Sequence, residues 1–144
     1  MSERTHDEIL ADIDKDSKID ETNLSGELTR IPYLHAKWMK TYIGLNKALR
    51  KAERIHASVK LERANYHQGL ASEAVYKEFP LNRRVLKSEL PEILAADPPV
   101  CRAKESMDEL ADITMAVEKF ISSLNNRGFN LGKAVDYVRW KNGG

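Results

Sequence analysis

Trp38, Tyr42, Leu45, Leu49, Ala52, His56, Val59, Arg63 and Tyr66 follow one another at steps of four and three. That spacing puts one side chain per turn on a single helix face. The seam is apolar at first and turns polar at His56 and Arg63. No Pro interrupts residues 36–69, and Gly69 stands where a helix C-terminus favours glycine. The pattern predicts a helix roughly 50 Å long at about 1.5 Å per residue. A second seam runs through Val100, Ala103, Met107, Leu110, Thr114, Val117, Ile121 and Leu124, widened by Ile113, Ala116 and Phe120. Met and aromatic residues at this spacing form core, so no cofactor site is read into them. Asn125-Asn126-Arg127-Gly128 reads as a helix stop with Gly128 left-handed and Phe129 packing back. Asn130 then caps a final helix with the stripe Leu131, Ala134, Val135 and Val138, flanked by Tyr137 and Trp140.

Shorter elements surround these two. Thr5-His-Asp-Glu8 has capping-box spacing and, with Ile9, Leu10 and Ile13, predicts a helix over about residues 5–14. Ser25-Gly-Glu-Leu can open the next helix, with Pro32 in its first turn or at a kink. Residues 70–79 are mixed, and Pro80-Leu81-Asn82 reads as a turn. Ser88 can cap a short helix that takes Pro91 in its first turn and runs to Ala96. Asp97-Pro98-Pro99 ends it. No strand pattern, internal repeat or low-complexity tract appears. The chain reads as a single all-α domain with two long helices and short flanking ones. Its segments are an arm at 1–28, a long helix at 32–69, a connection at 70–99 and C-terminal helices at 100–141. Two long seams in 144 residues bury poorly within one copy, which predicts an oligomer.

Charge divides the chain more sharply than its net +1 suggests. Residues 1–28, Glu3 among them, hold nine acids and three bases, a net of −6. From Lys37 to Arg63 there are eight bases and two acids, a net of +6. The acidic arm reads as a partner of the basic helix through self-association of opposite charges, as a second partner surface, or as a solubilising terminus. On the long helix Lys37, Lys40, Lys47, Lys51 and Arg54 form a basic stripe beside the apolar seam. Lys60, Arg63, Tyr66 and His67 follow towards its end. Cations with interleaved aromatics suit single-stranded nucleic acid, which is held by phosphate neutralisation and base stacking. The plain alternative is a solvated charged face on a helical oligomeric scaffold or adaptor that meets an acidic protein.

Catalytic chemistry is hard to place. The single Cys101 excludes an internal disulfide, and no motif ties it to His6, His35, His56 or His67. HExxH and CxxC spacings are absent, and so is a Gly-rich phosphate loop. The Asp12–Asp16 run lacks the glycine and the final Glu of a calcium loop. The expectation is therefore no enzyme, no metal and no cofactor. The charged N-terminus is not a secretory signal, and no apolar run approaches the roughly 20 residues of a membrane span, which predicts a soluble intracellular protein.

The chain resembles the UvsY family, recombination mediators of T4-like bacteriophages. The similarity starts near Lys15-Asp16 and runs through Ile19-Asp20-Glu-Thr-Asn-Leu24 and Ala36-Lys37-Trp38. It continues in Arg63-Ala-Asn-Tyr66-His-Gln-Gly69, Lys87-Ser88-Glu89, Ala96-Asp97 and Asn126-Arg127-Gly128-Phe129. The resemblance implies a non-enzymatic single-stranded-DNA-binding protein of the infected host's cytoplasm. It implies a homo-oligomeric ring of six or seven subunits that loads a UvsX-type recombinase onto DNA covered by the phage single-strand-binding protein. The family's DNA motif, a Lys, one residue and an Arg, falls on Arg63, but its Lys falls on Leu61, with Lys60 one position earlier. With Tyr66, His67, Arg54, Lys51 and Lys47, these are the candidate DNA-binding residues. The family's C-terminal region supports assembly, which maps by position onto Val100, Met107, Leu110, Val117, Ile121, Leu124, Val135 and Val138.

Overall fold

The structure is a computed structural model that describes residues 4–143. Residues 1–3, with Glu3 of the acidic arm, and Gly144 lie outside it. Five helices follow in order: α1 (His6–Ser17), α2 (Leu24–His67), α3 (Glu73–Glu78), α4 (Leu90–Ala96) and α5 (Pro98–Lys141). No strand occurs among the described residues. The chain forms two compact units, Met1–Asn46 with Asp112–Gly144, and Lys47–Ala111.

In the first unit the core gathers Ile9, Leu34, Trp38, Val117, Phe120, Leu124 and Leu131. Trp38 is fully enclosed and meets Phe120 edge-on, with centroids 5.2 Å apart. α1 opens with the expected capping box: Glu8 N–H donates to the Thr5 hydroxyl, and Thr5 N–H to the Glu8 carboxylate. It runs three residues past the expected end because its last turn is anchored. Asp16 Oδ2 accepts from Trp38 Nε1 at 3.0 Å and from Lys37 Nζ at 2.7 Å. Arg127 donates to the carbonyls of Asp16 and Ser17, which a helix C-terminus otherwise leaves unpaired. Over α1 the acidic arm is thus docked structure rather than a solubilising tail, with Asp12 and Asp16 both paired to Lys37.

α2 begins eight residues before the predicted 32. The Asn23 side chain accepts from Gly26 N–H and caps the helix there. Pro32 consequently lies inside the helix, beyond its first turn, where it removes one backbone donor. Pro32→Ala is expected to raise stability by roughly 1–3 kcal/mol, read from the denaturant midpoint. A fall in the midpoint would mean that the packing depends on the proline ring.

The predicted stop at Asn125–Gly128 is not there. α5 runs unbroken, and Gly128 does not adopt positive φ. A glycine in mid-helix costs only about 0.5–1 kcal/mol. The Arg127 anchor and the burial of Leu124 and Leu131 on either side outweigh that. Phe129 does not pack back; it is exposed, with Lys133 Nζ 4.4 Å over its ring. The seam of α5 also buries better in one copy than expected. Val100, Val117, Ile121 and Leu124 are already enclosed. Met107, Leu110 and Val135 are half-buried, and Val138 is exposed.

Candidate nucleic-acid interface

The basic part of α2 lies in the second unit, and its candidate residues divide between two faces. Lys47, Lys51 and Arg54 are exposed. Arg50, which the sequence reading passed over, is exposed beside them, three residues from Lys47 and four from Arg54. None of the four forms an ion pair among the described residues, so all keep their full charge towards solvent. Arg63 is nine residues beyond Arg54, about half a turn out of phase at roughly 100° per residue. It belongs to the opposite face, as do Tyr66 and His67. Lys60 is exposed, about 60° round the helix from Arg63 and about 120° from Arg54, with no ion pair among the described residues, and Leu61, at the family's Lys position, is exposed.

The second face is turned onto the junction of α4 and α5. Asp97 sits between Ala96 and Pro98, with its side chain only 4% exposed. Arg63 grips it with two parallel bonds, Nε to Oδ2 at 2.9 Å and Nη2 to Oδ1 at 3.0 Å. His67 Nε2 lies 3.0 Å from the same Oδ1. The guanidinium also stacks on the Tyr66 ring, 4.4 Å from its centroid. Tyr66 in turn lies over Tyr76 at 5.6 Å, and its hydroxyl donates to the carbonyl of Phe79. Burial is the largest influence on Asp97 and would push its carboxyl up. The hydrogen bonds from Arg63 and His67, with their charge, more than reverse this and hold it below the usual carboxylate range. The same pairing pushes Arg63 up, against a smaller opposing effect of burial. Of the guanidinium nitrogens, Nη1 alone is not engaged by Asp97.

Asp97 is the residue that sequence reading missed. In sequence it reads as part of a Pro-rich stop and of the family-like pair Ala96-Asp97, and nothing local links it to an arginine 34 positions earlier. Cys101 is half-buried, with its thiol 3.2 Å from the carbonyl of Ala95. No cluster of metal-ligating side chains occurs among the described residues, and none of their helices is long and apolar enough to cross a membrane.

No curated protein sequence matches the chain directly. Solved structures do. Three crystal forms of the bacteriophage T4 recombination mediator protein UvsY superimpose with TM-scores of 0.82, 0.80 and 0.81 at 24%, 19% and 21% identity. They cover 99%, 96% and 92% of this chain and 100%, 99% and 98% of theirs. At such identity they establish a common all-α fold. The profile of the family described as "Recombination, repair and ssDNA binding protein UvsY" matches residues 12–144, nearly the full length. The chain belongs to the UvsY family.

Proposed function

We propose that this protein is a recombination mediator. It binds single-stranded DNA and loads a UvsX/RecA-type recombinase onto DNA covered by single-strand-binding protein, in the cytoplasm of an infected bacterium. The observation that carries the reading is the exposed, unpaired stripe Lys47, Arg50, Lys51 and Arg54 in a chain of this family. Four cations on one helix face can follow a flexible phosphate backbone without reading its sequence. Lys60 extends the charge towards the helix end. Arg63, Tyr66 and His67 support the surface from behind through Asp97, with Arg63 Nη1 left for a phosphate. Self-association multiplies the effect, since each added copy engages a strand already held. The exposed Tyr137, Val138 and Trp140 on the last turns of α5 suit such assembly into a ring.

The triple variant Lys47→Ala, Lys51→Ala, Arg54→Ala tests the surface. Three lost phosphate contacts should flatten the log–log salt dependence of oligonucleotide binding by about 2. The melting temperature should stay the same, because these side chains make no ion pair or hydrogen bond among the described residues. Unchanged affinity and slope would overturn the assignment. For the mediator step, the parent protein should speed recombinase filament growth on strands pre-covered with single-strand-binding protein, and the triple variant should not.

A further inference from the structure

The second unit holds a basic hollow that the α2 stripe does not use. α2 ends in a Schellman turn: Leu70 N–H donates to the Asn65 carbonyl and Gly69 N–H to that of Tyr66, with Gly69 at φ 78°. The segment after α3 then folds back, tied by Val85 N–H to the His67 carbonyl at 3.0 Å. Between them Gly69, Tyr76, Pro80, Leu81, Arg83 and Arg84 line a concavity of about 520 Å³.

Three features of this hollow converge on one kind of ligand. Arg84 is exposed, makes no ion pair or hydrogen bond among the described residues, and lies over Gly69 at the mouth of the hollow. Its stem lies so close over Gly69 that a Cβ there would stand 2.6 Å from Nε and 3.2 Å from Cδ. Among the described residues Arg83 pairs only with Glu89, through an exposed pair at 3.2 Å, which is weak and readily exchanged. Tyr76 is fixed at its hydroxyl, which donates to the Tyr66 carbonyl and accepts from Ala71 N–H. It ends the stack of the Arg63 guanidinium, the Tyr66 ring and the Tyr76 ring. The exposed Phe79 and the exposed Lys77 and Lys87, which make no ion pair among the described residues, stand along the same segment.

We infer that this hollow is a second strand-binding subsite. It takes one nucleotide of a single strand, its phosphate on Arg84 and Arg83 and its base on Tyr76 or Phe79. A phosphate calls for the freely available guanidinium, and a base for an aromatic ring held in place. The inference rests on the single-strand reading above and adds a site to it.

Salt titration of a labelled oligothymidine with the full chain tests this. Arg83→Ala/Arg84→Ala should bind about 10-fold more weakly, with a slope smaller by about 0.7 for the one lost phosphate contact. Its melting curve should match the parent's. Arg84→Lys, which keeps the charge without the fork, should retain the slope. A strand carrying 5-iododeoxyuridine should cross-link to Tyr76 or Phe79 on irradiation. A free mononucleotide, thymidine monophosphate, should fail to displace the strand at millimolar concentration. If the parent binds the strand and the double variant binds it equally with the same slope, the subsite falls and the strand-binding reading stands. If the parent binds no strand, both fall. Displacement by micromolar thymidine monophosphate would make the hollow a free-nucleotide site and overturn the inference.

Discussion

Trp38→Ala is expected to cost about 3–5 kcal/mol, a large share of the stability of a domain in the range of roughly 5–15 kcal/mol. The variant should be largely unfolded or molten near 37 °C. Two losses combine. The first is volume, since Trp38 is fully enclosed and faces the ring of Phe120, so truncation opens a cavity that rigid helices cannot close. The second is polar. Trp38 Nε1 is one of the donors that hold the buried Asp16, and Asp16 joins α1 to α2. Trp38→Phe separates the two. It keeps most of the volume and removes the donor, for a loss of about 1–2 kcal/mol. Urea unfolding followed by circular dichroism gives both numbers. A loss below about 1 kcal/mol for the alanine variant would mean that Trp38 does not organise the first unit.

Trp38 was legible as a seam residue because helical periodicity reports burial directly. The α1 capping box and the turn at Gly69 were legible for a similar reason. Each is a local device whose few residues are adjacent in sequence. Gly128 shows where local reading stops. Its sequence neighbours spell a helix end, but Arg127 is bonded to carbonyls 111 and 110 residues away, and the helix continues. The acidic arm shows the same limit. Its charge was plain, yet its docking depends on Lys37, Trp38 and Arg127 arriving together. In the candidate interface, period alone separates Arg54 from Arg63. That Arg63 is held by Asp97 is a tertiary fact with no signature in either segment. A basic stripe read from sequence therefore overstates the cations available to a ligand, because Lys37 and Arg63 are already paired.

That pairing makes the second large effect a matter of stability before binding. Arg63→Ala leaves a carboxylate that is 4% exposed without its bidentate partner. Removing one member of a buried pair costs about 3–5 kcal/mol, and the partial exposure of Arg63 brings the expectation to roughly 2–4 kcal/mol. Asp97→Asn should cost less, since the amide still accepts one bond from Arg63 or His67. Replacing both, as Arg63→Met with Asp97→Leu, should recover much of the loss, because no charge is left stranded. The sign of the pH dependence follows from the lowered Asp97 carboxyl. The unfolded chain takes up a proton near the ordinary value of about 3.9, and the folded one only below it. The contribution of Asp97 is therefore complete above that value and is lost as pH falls through the depressed folded one. Parent stability should drop on the acid side of about pH 4, and Asp97→Asn, already lower at pH 7, should drop less steeply. Chemical denaturation at a series of pH values measures both curves. Parallel acid limbs for the two proteins would show that Asp97 gains nothing from Arg63 and His67. In that case the clamp between α2 and the start of α5 would not hold the second unit together.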